Sequence, residues 1–218
     1  MEWSRRLLGD EEGWRVLNQG RQRGVGMIEL MVAVVIMAIL MAAAAPSFSN
    51  WISGTRIRST AESVLAGLQA ARSEATTRNA QVRFQLTTSL DASCALSTSG
   101  RHWVIDLVDA DVDKDTVAGQ CNAAPSASEP GILLVHAASG TGDGTAVNAS
   151  ADSVVFNGLG RQAPPIAATP LTTITFNVTP TDTSLCGKVT CLRVLVSPAG
   201  QVRMCNSHIV TAGDPQAC

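Results

Sequence analysis

The feature that most constrains this chain is an apolar block near its N-terminus, residues 25–45, in which Glu29 is the single charged side chain. About 20 apolar residues in an α-helix span the hydrocarbon core of a bilayer. Arg21 and Arg23 stand just before the block, and positive charges beside a membrane helix stay on the cytoplasmic side. The pattern predicts a helix that crosses a membrane once, with the chain beyond Pro46 exported.

A cleavable secretory signal peptide is the alternative explanation of the apolar block. Residues 43–45 are all alanine and resemble a small-residue cleavage site. Three features count against this alternative. The block is longer than an ordinary signal-peptide apolar region, Pro46 would directly follow the cut, and Glu29 gives a signal peptide no advantage. We therefore expect the apolar block to remain in the protein as a membrane helix.

Composition excludes two other classes of protein. Hydrophobic residues make up 45% of the 218-residue chain and charged residues 16%, a balance that is typical of a folded protein rather than a disordered one. The net charge is −2, so the whole molecule has no general attraction for nucleic acid. His102, His136 and His208 are scattered without a nucleophile motif, and we predict neither an enzyme nor a cofactor.

Residues 23–30, with the sequence RGVGMIEL, resemble the processing site of type IV prepilins and pseudopilins. In that family a prepilin peptidase cuts after the glycine and methylates the new N-terminus. The resemblance implies a leader of residues 1–24, cleavage between Gly24 and Val25, and methylation of Val25. Family members usually begin with Phe, so Val25 departs from the pattern. Glu29 and Pro46 fall at mature positions 5 and 22, where the family has a glutamate and often a helix-kinking proline.

Glu29 is the candidate assembly residue, because a carboxylate inside a membrane is costly and normally has a partner. In a filament of such subunits, the partner would be the α-amino group of a neighbouring subunit, and the pair would set the axial register. In the unassembled subunit we expect Glu29 to reach the cytoplasmic headgroups.

One long helix is predicted from about residue 26 to about residue 78. Pro46 removes a backbone donor and should bend or loosen it. Residues 25–45 form its membrane half and residues 46–79 its periplasmic half. The second half carries one apolar face at helical spacing: Ile57, Ala61, Val64, Leu65, Leu68, Ala71 and Ala75. Gly54 and Gly67 lower its intrinsic stability, so packing on a domain must hold it.

Residues 80–218 are predicted to form a β-rich globular domain. Val82, Phe84 and Leu86 alternate with polar residues, which indicates a strand with one buried face. Further strands are expected at residues 102–108, 132–136, 153–156, 173–178, 190–197 and 201–204. Strands without intervening helices favour an antiparallel sheet and an α+β fold. Residues 137–151, rich in Gly, Ala, Ser and Thr, are predicted to be a flexible excursion.

Residues 68–78, 103–109, 155–161 and 192–205 resemble segments of GspH/FimT-type minor pilins, and this resemblance covers nearly all of the mature chain. It implies a long N-terminal helix packed on a domain of two small sheets, with other major and minor pilins or pseudopilins as partners. It also implies a role in priming the assembly of a type IV pilus near the filament tip. The alternatives are a DNA-uptake minor pilin and a pseudopilin of a type II secretion system.

Six cysteines lie in the exported part, and an even count there indicates disulfides with 15 possible connectivities. Proximity along the chain favours Cys186–Cys191 and Cys205–Cys218, which leaves Cys94–Cys121. Free buried cysteines are the alternative. No Cys/His spacing typical of a zinc site occurs, so no metal site is predicted through sulfur.

An acidic segment raises the possibility of a calcium site. It contains Asp109, Asp111, Asp113 and Asp115, and alternate carboxylates can converge on a hard cation. The EF-hand pattern fails, because Lys114 stands where Gly is needed and Gln120 where the bidentate Glu would be. A solvated acidic loop is the preferred interpretation.

DNA binding is possible but not favoured. DNA-binding relatives carry a Gly-Arg-x-Arg motif, and residues 200–203 read GQVR here, so the first arginine is missing. The loss of one phosphate contact weakens both the affinity and its salt dependence. Arg203 is the possible DNA contact, and a solvent-facing strand residue is the preferred interpretation.

Overall fold

The computed structural model describes residues 24–109, 116–128, 131–138, 144–164, 171–211 and 213–218. The chain divides into two compact units, Met1–Ala45 and Pro46–Cys218. Residues 1–23 of the predicted leader lie outside the described residues, as does most of the acidic segment after Asp109.

Helix α1, Met27–Arg78, dominates the N-terminal third of the chain and confirms the predicted bounds to within one residue. It ends where Asn79 adopts a left-handed backbone conformation with φ of 50° and the Ala80 N–H donates to the Ala75 carbonyl at 3.2 Å. This is a common way to satisfy the last carbonyls of a helix. Pro46 lies within α1, and the bend expected there stays a prediction.

Within the second unit, α1 buries the predicted apolar face. Six of the seven residues named for that face are almost completely buried and Leu65 is half-buried. Gly67 lies at the closest approach of the helix to the sheet, because a Cβ there would stand 2.8 Å from the Phe84 ring and 3.0 Å from the Trp103 ring. Gly67 thus lowers helix propensity but allows close packing.

Two antiparallel sheets form the rest of the second unit. Sheet A has the order β3-β2-β1-β5-β6, with strands β1 (Val82–Thr87), β2 (His102–Leu107), β3 (Ile132–His136), β5 (Ser153–Phe156) and β6 (Gln162–Ala163). Sheet B has the order β4-β7-β8-β9, with strands β4 (Thr145–Ala149), β7 (Ile174–Pro180), β8 (Leu192–Val196) and β9 (Val202–Asn206). The fold is therefore α+β with two antiparallel sheets, as predicted.

Part of residues 137–151, which were predicted to be a flexible excursion, is instead a strand. Residues 145–149 of this segment form strand β4, which pairs with β7 from Thr145↔Pro180 to Ala149↔Phe176. The small, weakly β-forming side chains hide the strand, and pairing with β7 together with the burial of Val147 overrides local propensity. Strand β6 and a 3-10 turn, Thr183–Gly187, were also not predicted.

The main core lies among α1, sheet A and sheet B. Phe84 of β1 is at its centre, with its ring centroid 5.5 Å from that of Trp103 and 5.8 Å from that of Phe176. Because Phe176 belongs to β7, this contact joins the two sheets. The Trp103 indole N–H also donates to the Ser63 hydroxyl at 3.1 Å, which fixes β2 against α1.

The opposite face of sheet A is also buried, which corrects the expected alternation in β1. Gln85 and Thr87, expected to face solvent, are almost completely buried. On this face Asp106 accepts hydrogen bonds from Arg83 at 2.7 Å and from Gln85 at 2.8 Å. A second apolar cluster covers part of the same face: Cys94, Val104, Val117, Cys121 and Ile132. Removal of either partner of a buried ion pair destabilises a protein strongly, because it leaves an uncompensated buried charge.

Candidate functional site

The first unit presents the candidate processing and assembly residues on an exposed, apolar chain segment. Gly24, Val25 and Gly26 precede α1 without regular structure, and the Leu30 N–H donates to the Gly26 carbonyl at 3.1 Å. Every residue from 24 to 45 is exposed. By length and composition, α1 is apolar enough to cross a membrane, and its most apolar stretch is not buried within the protein. Such a surface requires a partner outside the chain.

Glu29 lies in the first turn of α1. A carboxylate is favoured there because the unpaired N–H groups of a helix N-terminus carry partial positive charge. Gly24 has no heavy atom within 4 Å of the position where a Cβ would stand. Cleavage between Gly24 and Val25 would create an α-amino group four residues before this carboxylate.

Three disulfides tie down the second unit: Cys94–Cys121, Cys186–Cys191 and Cys205–Cys218. They are the same pairs that proximity along the chain predicts. His208 lies close enough to Cys186 and Cys191 for a metal ion to bridge the three side chains. Because the two sulfurs are bonded to each other, this group offers a metal ion only the His208 imidazole.

Arg203, the possible DNA contact, is exposed on β9 and interacts with the C-terminus. Its guanidinium donates to the Ala217 carbonyl at 3.3 Å and to a Cys218 oxygen at 3.1 Å. Arg193 of β8 lies diagonally across from it in the strand register, and the Arg193 Nε donates to Asn177 at 2.6 Å. Two of the C-terminal basic residues thus share a sheet face, and both have protein partners.

The backbone structure requires a glycine at the first position of the GQVR segment. Gly200 has φ of +80°, and a Cβ there would overlap the Gly160 carbonyl. This close approach joins the β8–β9 turn to the loop before β6, where the Arg72 Nε donates to the Gly160 carbonyl at 3.0 Å. The segment therefore connects sheet B, sheet A and α1 whether or not it binds a ligand.

The second unit has a polar groove that was not predicted from the sequence. It has a volume of about 320 Å³, and its lining includes Thr55, Arg56, Ser59, Ser63, Arg101 and His136. The His136 ring stacks on Trp103 with centroids 4.8 Å apart and planes 13° from parallel. Hydroxyl residues at a spacing of four, at positions 55, 59 and 63, are the signal that could have indicated a polar helix face.

His102 lies beside this groove, and its Nδ1 accepts a hydrogen bond from the Ala138 N–H at 3.2 Å. Burial lowers the pKa of His102 below its ordinary value of 6.5, and the positive charges of Arg101 and His136 lower the pKa further. These surroundings therefore disfavour the protonated form of His102.

Two family models match parts of the chain. Residues 60–200 match the family of type II transport protein GspH, and residues 19–45 match the prokaryotic N-terminal methylation motif. A comparison with curated proteins gives no match.

Among solved structures, the chain is similar to the type IV minor pilin FimU of Pseudomonas aeruginosa strain PAO1 in two crystal forms. In one form the identity is 17% and the TM-score 0.47, over 72% of this chain and 96% of that one. In the other the identity is 18% and the TM-score 0.44, over 71% and 99%.

Proposed function

The chain belongs to the GspH family of pilin-like structural proteins, and we propose that it is a minor pilin of a type IV pilus that acts in pilus assembly near the filament tip. The observation that carries the proposal is the contrast within α1. An exposed apolar segment with the N-terminal methylation motif is joined to a unit that buries a hydrophobic core of its own. The exposed segment gives the chain a long apolar surface, and a subunit of a helical filament needs such a surface for contacts with its neighbours.

The proposed maturation begins with prepilin peptidase, which the methylation motif implies as a partner. The enzyme cuts between Gly24 and Val25 and methylates the Val25 amine. Before assembly, residues 25–45 cross the inner membrane once, with the second unit in the periplasm. The three disulfides support this orientation, because such bonds persist in exported proteins and are rare in the cytoplasm.

In the assembled filament, we propose that Glu29 pairs with the α-amino group of a neighbouring subunit. Removal of the carboxylate should therefore impair incorporation without impairing membrane insertion, since an apolar residue at position 29 inserts more readily. The test is Glu29→Ala, expressed beside the wild-type major pilin, with filament and membrane fractions quantified separately. Glu62→Ala is the matched control, because Glu62 is an exposed glutamate of the same helix paired with Arg58 at 4.0 Å.

We expect Glu29→Ala to accumulate in the membrane and to be depleted from filaments, and Glu62→Ala to behave as wild type. Normal incorporation of Glu29→Ala would refute the pairing role. Loss of the variant from the membrane would contradict the proposed reason for the defect.

A type II secretion pseudopilin is the second candidate function, and the description of the matched family favours it. The two candidates share the same subunit architecture but differ in what fails when the chain is deleted. We expect deletion to reduce surface pili and leave protein secretion unchanged. Loss of secretion with normal piliation would support the second candidate instead.

DNA capture is not part of the proposal, because Arg203 interacts with the C-terminal carbonyl groups and position 201 is glutamine. We expect weak or no binding of duplex DNA at physiological salt in an anisotropy titration over a salt series. Gln201→Arg should strengthen any binding, since each additional phosphate contact steepens the salt dependence. Micromolar binding by the wild type that is lost in Arg203→Ala would make DNA capture the leading function instead.

A further inference from the structure

The polar groove of the second unit has the chemistry of an anion site. On one side, α1 contributes the Ser59 and Ser63 hydroxyls and the Arg56 guanidinium. On the other side stand Arg101, just before β2, and His136 at the end of β3. The described residues that line the groove include neither aspartate nor glutamate.

The groove is rigid on the side of the sheet. His136 is held by its stack on Trp103, and Trp103 is held by its hydrogen bond to the Ser63 hydroxyl. Ser63 accepts in that bond, so its own proton remains able to donate into the groove. The Thr55 hydroxyl differs, because its proton is used by the Trp51 carbonyl at 3.0 Å.

Two guanidiniums provide most of the donors. Each guanidinium carries five N–H groups in a fixed fork, so Arg56 and Arg101 can bind an oxyanion while keeping the other interactions that they make. Charge-assisted hydrogen bonds from arginine to phosphate are short and strong. Two guanidiniums with two serine hydroxyls match the several oxygens of a phosphate group better than the two oxygens of a single carboxylate.

The position of the groove along the chain indicates where the phosphate comes from. The residues that α1 contributes follow the apolar segment in sequence, after a stacked and exposed aromatic pair, Phe48 and Trp51, with centroids 5.9 Å apart. Tryptophan is enriched at the level of lipid headgroups. A second cavity, of about 380 Å³, adjoins Trp51 and is lined by Arg58 and Lys188 among others. Basic side chains attract the negative charge of a lipid headgroup that lies within about one Debye length.

We propose that the groove of Arg56, Ser59, Ser63, Arg101 and His136 binds the phosphate of an anionic phospholipid headgroup while the subunit is in the membrane. This inference rests on the membrane anchoring in the proposed function.

The test is native mass spectrometry of the full mature chain in detergent, titrated with phosphatidylglycerol or phosphatidylcholine. We expect phosphatidylglycerol to be retained in preference. Arg101→Gln and Arg56→Gln should each weaken its retention about tenfold, the loss expected for one charge-assisted hydrogen bond. Arg161→Gln is the control, because it removes the same charge from an exposed position that does not line the groove.

Two competition experiments identify the source of the phosphate. Inorganic phosphate should displace the lipid only weakly, and a short DNA duplex should not displace it. Displacement by inorganic phosphate at the lipid's own concentration would assign the groove to a small ion, and displacement by duplex would assign it to nucleic acid. Either result overturns the lipid proposal.

Equal retention of the two lipids, or equal loss in Arg161→Gln and Arg101→Gln, would also overturn it. Unchanged membrane fractionation and filament incorporation of the same variants would then show that only this inference fails. Failure of wild-type protein to reach the membrane would instead count against the proposed function.

Discussion

The first half of α1, residues 27–45, exposes every apolar side chain that it carries, whereas the second half buries one apolar stripe against the sheets. Both halves are regular helix in one element. The apolar stripe of the second half packs on the sheets of the same chain. Gly67 shows this, because it lies against Phe84 and Trp103.

The two halves of α1 therefore have different roles. Apolar area that the chain itself buries contributes to the stability of the second unit. Apolar area that the chain leaves exposed over a whole helix is available to lipid or to other helices. We therefore expect substitutions in the second half to change folding, and substitutions in the first half to change insertion or assembly.

The largest expected effect compares one leucine from each half. Leu68 is completely buried, whereas Leu40 is exposed. Leu68→Ala should lower the free energy of unfolding of the second unit by about 2–5 kcal/mol, because it leaves a cavity in the core. Leu40→Ala should leave that free energy unchanged. Denaturant unfolding of both detergent-solubilised variants measures the difference, and equal destabilisation would remove the basis of the comparison.

A second effect is expected from the disulfides, which lie in the second unit. Replacement of Cys94 and Cys121 by alanine opens a loop with a sequence separation of 27 and should cost about 3.5 kcal/mol in the chain-entropy account. The same change at Cys186 and Cys191, with a separation of 5, should cost about 2 kcal/mol. Thermal unfolding of both double variants checks the order. The reverse order would show that loop closure is not the main contribution.

The smallest effect concerns pH. Because folding lowers the pKa of His102, the unfolded chain binds more protons just below pH 6.5, and stability is lost as pH falls from 6.5 through the folded pKa. The unfolding temperature should therefore decrease on acidification, and His102→Gln should flatten the decrease. His208→Gln is the control, because His208 is exposed. Identical pH profiles for His102→Gln and wild type would contradict this assignment.

Periodicity predicted the helix and most strands because those elements carry their own signal. The apolar face of α1 repeats at helical spacing, and Val82, Phe84 and Leu86 alternate in β1. Both patterns reflect burial against one partner surface. The positions of the six cysteines also predicted the three disulfides, because the cysteines that pair are neighbours along the chain.

The errors occur where a distant part of the chain decides the outcome. Strand β4 depends on its pairing with β7, so residues 145–149 alone give little indication of a strand. Gln85 is buried because a cluster that includes Cys94, Val117 and Cys121 covers part of its face of the sheet. The polar groove combines α1 with the ends of β2 and β3, and no local pattern brings Arg56, Arg101 and His136 together.

The central claim is that the exposed half of α1 is the mature N-terminus of a filament subunit. Intact-mass measurement of the protein extracted from membranes of cells that contain prepilin peptidase tests it most directly. The account predicts a chain that begins at Val25, carries one added methyl group and retains all three disulfides. A chain that begins at Pro46 would show that residues 25–45 are a cleaved signal peptide and would contradict the account.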